Sequence, residues 1–443
     1  MDFSTDPNAG ATGQMMYSWI RDLFPLNRSI TGPDTRATLR YLQGLLPGMT
    51  LHEVPTGTPA FDWSVPEEWS VKDAYILDES GRRVIDWRKH NLHLVGYSVP
   101  VNKEVTLEEL QSHLHSLPEN PDAIPYVTSY YGRTWGFCLS HRERETLPSG
   151  RYRVVIDSQL SEGSLSYGEI LLPGEREEEV LLSTYVCHPS LANNELSGPS
   201  VTAALGRWLL ASTNRRLSYR IVFVPETIGA IVYLSRNLHE MKNRIIAGYV
   251  VTCVGDDRCY SLLRSRRGNT LADRVARYVL REHAGTFKEY SFLERGSDER
   301  QYCSPGIDLP VASVMRSKYC CYPEYHTSKD NLELVTPEGL FGAFEALRRC
   351  LWTLEENRYY RATCLGEPQM SKRGMYPTTS QIGSTSSVRA YMDLLAYADG
   401  ETDLLDLSEC IGHPFQECVA RGRELAAAGL LEETTLDRRR YAI

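Results

Sequence analysis

The chain has 443 residues, about three times a usual single-domain length, which excludes a small binding module and points to one large unit with smaller ones attached. Hydrophobic residues at 42% and charged residues at 24% are ordinary globular values and exclude a disordered chain or a coiled coil. A formal net charge of -9 removes the positive field that a general nucleic-acid binder needs, so no nucleic-acid partner is expected.

The start, Met1 to Asp6, has no basic residues followed by an apolar run, and no stretch approaches a membrane span, so a cytoplasmic protein with no membrane partner is expected. The 11 Cys, an odd number, include Cys187 and Cys253 inside apolar runs, which suits reduced thiols rather than a disulfide framework. From Gly13 to Leu46, Met16, Ile20, Leu23 and Phe24 recur at helical spacing. Thr31-Gly32-Pro33-Asp34 then opens a second helical run through Leu39, Leu42 and Leu46. Short Trp-, Tyr- and Val-rich segments between Phe61 and Leu147, separated by Pro, Gly and Asn, predict a β-rich insertion.

Between Arg151 and Glu355 the pattern becomes strand, helix, strand. Strands are predicted at 179–186, 219–224, 247–254 and 309–315, with helices at 200–210 and 229–238, the signature of an α/β sheet covered on both faces. A polar linker is predicted over 369–387. Helical segments follow at 388–398, 404–410 and 414–427, then a strand-like tail, the outline of a winged helix. From Ser387 to the end there are 6 Arg and no Lys against 11 Asp and Glu, an acidity that favours packing or dimerisation over DNA contact and allows a homo-oligomer.

Ligands of such sheets sit beyond the strand ends. The first strand runs into Cys187-His188-Pro189, followed by Asn193-Asn194-Glu195-Leu196-Ser197-Gly198. The second ends in Pro225-Glu226-Thr227. The fourth is preceded by Ser297-Asp298-Glu299-Arg300 and followed by Tyr325-His326-Thr327. A lone strand-end His is more often a hydrogen-bonded core residue than a ligand. Several strand ends carrying His, Glu or Asp together reverse those odds.

In order and kind these segments resemble the zinc aminopeptidase family that includes bacterial leucyl aminopeptidases, glutamate carboxypeptidase and glutaminyl cyclases. The whole chain is similar to a bacterial aminopeptidase-like branch with an inserted β-rich domain and a C-terminal winged helix. The resemblance implies a zinc-exopeptidase-like mixed α/β sheet flanked by helices. It places the catalytic domain at 1–55 and 148–365, the insertion at 56–147 and a winged-helix domain at 380–443. It further implies that His188 and His326 are metal-binding and that Glu226 is the general base. Asn194 stands where the family has its bridging Asp, Thr227 where it has a second Glu, and Thr252 where it has a third carboxylate. Asp256 is a candidate replacement for the carboxylate lost at Thr252. One zinc ion rather than two is therefore expected.

The third ligand is Asn194 by alignment or Glu195 by chemistry, since an anionic oxygen binds zinc better than a neutral amide. Asp298 and Glu299 are candidates for a substrate amine, and Tyr130 with Arg133 for a wall that closes over the substrate, Arg133 meeting a carboxylate. The expected activity is hydrolysis of an amide or peptide bond in a small substrate. The alternatives are acyl-group chemistry in small-metabolite or polysaccharide biosynthesis, and a binding or assembly module that has lost catalysis.

Overall fold

The computed structural model describes residues 8–212, 214–375 and 386–434. The chain divides into two compact units, at Arg349 and Cys350 within the helix Pro337–Glu356. The larger is built on an eight-stranded mixed sheet. Its order is Thr50–Pro55, Ser164–Leu172, Ser218–Val224, Glu179–Tyr185, Ile245–Val250, Val311–Met315, Ser261–Leu263, Lys288–Tyr290. The four central strands are parallel, and Glu179–Tyr185 is buried along its whole length, as a strand covered on both faces must be. Strands at 50–55 and 164–172 extend the sheet antiparallel on one side, and the short strands at 261–263 and 288–290 complete the other.

Parallel pairing brings the carboxyl ends of Glu179–Tyr185, Ser218–Val224, Ile245–Val250 and Val311–Met315 to one edge. The third strand stops at Val250, not at Val254 as its apolar run predicts. Cys253 has a positive φ of 51°, which ends the extended chain, and its carbonyl accepts the Arg316 N–H. The strands at 261–263 and 288–290 and the helix Leu271–Ala284 add to the predicted pattern; strands of three residues are too short to show a period.

The β-rich part is a four-stranded antiparallel sheet, in the order Arg83–Asp86, Glu68–Leu77, Arg151–Ser161, Val101–Thr106. Its central strand lies beyond the expected boundary at 147, with Tyr152, Val154, Ile156 and Ser158 alternating inward. Nor is this sheet a separate compact unit: one buried apolar cluster runs from Trp69, Ile76 and Tyr152 to Tyr185, Cys187 and Val224 of the main sheet. The smaller unit contains helices Ser386–Tyr397, Leu404–Ile411 and Phe415–Ala427, and a sheet ordered Asp399–Asp403, Tyr359–Ala362, Leu431–Thr434. This is a winged helix, and it recruits Tyr359–Ala362 from well before the expected start at 380. The predicted linker at 369–387 lies partly, and the end of the predicted tail wholly, outside the described residues.

One buried ion cluster ties the main sheet together. Arg220, 1% exposed, donates through Nε and Nη2 to both oxygens of Glu179 (2.6 and 3.1 Å), and through Nη1 to Glu169 (3.0 Å) and the Tyr233 hydroxyl (2.7 Å). It thus joins three adjacent strands and the helix Ile228–Arg244. Arg220→Ala is expected to lower stability by about 3–5 kcal/mol, because it leaves carboxylates buried without their counter-charge; urea denaturation followed by tryptophan fluorescence measures it.

Candidate active site

His188 leaves the first strand into the interior, 3% exposed. Its Nδ1 is paired with Glu195 Oε2 at 2.8 Å, and Glu195 in turn lies 3.8 Å from Nε of the buried Arg28. Arg28 also donates through Nη2 to the His188 carbonyl (2.9 Å) and through Nη1 to the Leu23 carbonyl (2.6 Å). With Nδ1 engaged, Nε2 is the ring nitrogen left for other chemistry, and it lies 3.5 Å from Glu226 Oε2. The His326 ring is 5.4 Å from that of His188, centroid to centroid, and Tyr126 packs beside both at 4.9 and 5.1 Å. Burial, then the Arg28 charge, pushes His188 down to about 3, and burial followed by His188 does the same to His326, so both imidazoles are neutral and keep a free lone pair.

Two cross-links hold these strand ends in register. The Glu226 N–H donates to Cys187 Sγ at 3.2 Å, joining the first strand end to the second. Asp330 is fully buried in the loop after His326, and it gathers the N–H groups of Ala192 (3.0 Å), Asn193 (2.6 Å) and Asn194 (3.0 Å) together with the Tyr322 hydroxyl (2.9 Å). It pins a single π-helical turn, Ala192–Leu196, against the loop that carries His326. Gly198 follows that turn because a Cβ there would meet the Val251 carbonyl at 2.4 Å and Thr184 Oγ1 at 2.5 Å.

Backbone strain gathers in the same place. Tyr130, Ser190, Thr227, Cys253 and His326 all have φ between 38° and 62°. Thr227 is the centre of a γ-turn closed by Ile228 N–H to the Glu226 carbonyl (2.8 Å), which turns the chain sharply behind Glu226.

A cavity of about 500 Å³ opens onto His188, Glu226 and His326, bounded by Tyr126, Tyr130 and Arg300 among others. The remaining predicted residues fall into two groups. Glu195 and Asn194 are each 1% exposed. Glu195, preferred as a ligand on charge, pairs with His188 Nδ1 and so lies on the side of the ring away from Nε2. Asn194 Nδ2 donates to the Tyr185 hydroxyl (2.9 Å), and its Oδ1, like Glu195 Oε1, is buried without a hydrogen-bond partner.

Glu299 lies off the cavity, its Oε1 accepting Gly296 N–H (2.9 Å), Ser297 N–H (3.1 Å) and the Tyr319 hydroxyl (2.6 Å). Asp298 is fully buried behind Thr227, whose N–H it accepts at 2.7 Å. Neither is presented to a substrate amine. Arg133 is exposed and pairs with Glu67 instead of facing the cavity. Asp256 is held by Ser317 and Asn193, so it is no substitute for the carboxylate missing at Thr252.

Buried carboxyl groups crowd together here and hold their protons more tightly than usual. Burial raises Glu195 to about 8 against the pull of Arg28, and raises Asp298 to about 7. Glu226 is pushed well up by burial and then by Asp298, with Arg300 opposing. Two neutral imidazoles with the Glu226 carboxyl beside them on one cavity wall are the donor chemistry of a cation site, and they fit Zn²⁺. Cys187 does not join it. Its sulfur lies on the other side of the His188 ring, 3.4 Å from Nδ1, and accepts the Glu226 N–H.

Arg300, Thr227 and Tyr126 line the cavity without having been singled out as binding residues. Arg300 had a signal, a cation two residues after Asp298. Tyr126 had none.

Residues 17–357 match a family described as a domain of unknown function, DUF4910, and residues 358–433 match a winged helix-turn-helix family. A Clostridium acetobutylicum protein, named a "polysaccharide biosynthesis protein with aminopeptidase-like domain", is 43% identical over 416 residues, 92% of this chain and 94% of its own. A crystal structure of a peptidase-named protein from Clostridium acetobutylicum superposes with a TM-score of 0.89 at 42% identity, covering 96% of this chain and 98% of that one. A zinc aminopeptidase from Bacillus subtilis shares the fold, with a TM-score of 0.57 at 12% identity over 77% of this chain and 94% of its own. The expected aminopeptidase-like fold and the winged helix are thus present.

Asp330→Asn removes the charge that gathers three N–H groups. It is expected to lower stability by about 2–4 kcal/mol, because an amide oxygen replaces a carboxylate at several bonds. Hydrogen exchange at Ala192 to Asn194 should accelerate relative to the sheet, and unchanged exchange there would remove Asp330 from its place as the clamp.

Proposed function

We propose that this chain, which belongs to the DUF4910 family, is a zinc-dependent hydrolase that cleaves an amide bond in a small substrate. The observation that carries the reading is the placement of His188 Nε2 3.5 Å from Glu226, with His326 beside them, on the wall of one cavity. The residues that would hold the ion are His188 through Nε2, His326, and Asn194 through its orphaned Oδ1. Glu195 acts from behind, fixing the His188 ring through Nδ1 and raising its basicity. When bound, Zn²⁺ supplies a Lewis acid for a carbonyl and acidifies water.

Glu226 is the proton carrier. It sits at the cavity within reach of His188, and as a carboxylate it takes a proton from water and delivers it to the departing amine. Its carboxyl is tuned by opposite neighbours, Asp298 raising and Arg300 lowering its proton affinity. Tyr126 packs against both imidazoles and keeps bulk water from that side of the site. With Thr227 and Thr252 in place of acids, one ion is expected.

The name of the Clostridium relative favours a second setting for the same chemistry, removal of an acyl group from a sugar during polysaccharide biosynthesis. The rim supports it: Trp63 and Tyr131, 42% and 51% exposed, face each other edge to face at 5.8 Å and offer apolar surfaces to a sugar ring.

Protein purified without chelator should contain about one zinc per chain. His188→Ala and His326→Ala should each remove the metal and the activity. Glu226→Gln should keep the metal and lose about 10³-fold in kcat, measured on a panel of aminoacyl amides, dipeptides and N-acylated amino sugars. Full turnover by Glu226→Gln on the best substrate would displace Glu226 as the base. Asn194→Asp should tighten zinc about tenfold or more, because a carboxylate replaces a neutral amide, read by competition with a chromogenic chelator.

A further inference from the structure

Arg300 is the charged side chain at the cavity whose hydrogen-bonding capacity is least used. Its Nη2 donates to Thr227 Oγ1 at 2.5 Å, and its Nε is buried with no hydrogen-bond partner. No carboxylate among the described residues pairs with it within 4 Å, although most arginines of this chain have such a partner. A guanidinium set in place by one hydroxyl and hydrogen-bonded to no carboxylate is a prepared anion site, planar and permanently charged.

The charges facing the cavity point the same way. Glu226 is its one carboxylate and Arg300 its one permanent cation among the described lining residues. The carboxylates expected to hold a substrate amine, Asp298 and Glu299, are buried off the cavity, and Glu299 is fully engaged with Tyr319 and backbone N–H groups. A substrate ammonium would meet only Glu226, which the proposed chemistry already uses. An anionic group would meet Arg300.

We propose that the substrate carries a carboxylate and that Arg300 binds it, with Thr227 holding the guanidinium in position, so that the cavity selects acylated acids over substrates recognised by a free amine. This rests on the hydrolase reading. Thr227 is then not merely a lost metal ligand: the γ-turn that puts its N–H on Asp298 also puts its hydroxyl on Arg300.

The test pairs a series of N-acetyl amino acids with their carboxamides, which differ only in the charge at the acid. Wild-type protein should prefer the acids by about tenfold or more in kcat/KM. Arg300→Gln should collapse that preference toward one through KM, with Arg300→Lys intermediate because an ammonium keeps the charge and loses the fork. Circular dichroism and zinc content of both variants guard against a folding defect. Equal use of acids and carboxamides by wild type, or a preference that survives Arg300→Gln, would overturn the inference and leave the hydrolase reading standing. If no compound is cleaved, the hydrolase reading fails. Calorimetric binding of the acids that Arg300→Gln abolishes would still support the carboxylate site, and absence of binding to wild type would overturn it.

Discussion

The contact on which the site depends is the buried pair between His188 Nδ1 and Glu195 Oε2. It decides which face of the imidazole is structural and which is chemical: one nitrogen is tied to a carboxylate inside the protein, and the other is left toward Glu226 and His326. The pair is itself supported by Arg28, whose guanidinium reaches Glu195, the His188 carbonyl and the end of the first helix. A carboxylate in so dry a place costs several kcal/mol unless positive charge is near. Arg28 supplies part of that charge, and a cation at Nε2 would reach Glu195 through the ring.

Around this contact the fold brings together segments distant in sequence. The parallel sheet delivers His188, Glu226 and the loop with His326 to one edge; a sulfur contact from Glu226 N–H to Cys187 and the Asp330 clamp then fix them to one another. The positive φ values at Tyr130, Ser190, Thr227, Cys253 and His326 are the strain that accompanies such sharp departures from strand ends. The β-rich sheet contributes through its long connection, since Tyr126 N–H donates to the His326 carbonyl (2.9 Å) and Tyr130 shares a hydroxyl contact with Tyr126 (2.9 Å). It is continuous with the body built on the main sheet, and the shared apolar cluster shows why no boundary at 147 could be kept.

Much of the architecture was legible in the chain. The central strands announce themselves as unbroken apolar runs, the flanking helices as capped stripes, and the strand-end His188, Glu226 and His326 stand where ligands of such sheets bind. What could not be read was relational. Glu195 is a better zinc ligand than Asn194 by charge, yet its Oε2 is taken up by His188 Nδ1, and Glu195 Oε1 and Asn194 Oδ1 are both buried without a hydrogen-bond partner; the direction of each side chain in the π-helical turn is not written in the sequence. Asp330 carries no signal in the sequence because its three N–H partners lie about 140 positions upstream. Arg133 and Arg300 are equally basic in sequence, and only the fold gives Glu67 to the first and an open cavity to the second. The winged helix was visible from its three helices, but not the recruitment of Tyr359–Ala362, which is a matter of pairing across some seventy residues.

The central claim is that one metal ion belongs between His188 Nε2 and His326, with Glu195 behind the first imidazole rather than on the ion. Crystals grown with Zn²⁺ and measured on both sides of the zinc absorption edge test it most directly. A single anomalous peak is expected within bonding distance of His188 Nε2, His326 and Asn194 Oδ1. A peak bound instead to Glu195 or Cys187 on the Nδ1 side, or no peak at the site with zinc in excess, would contradict it.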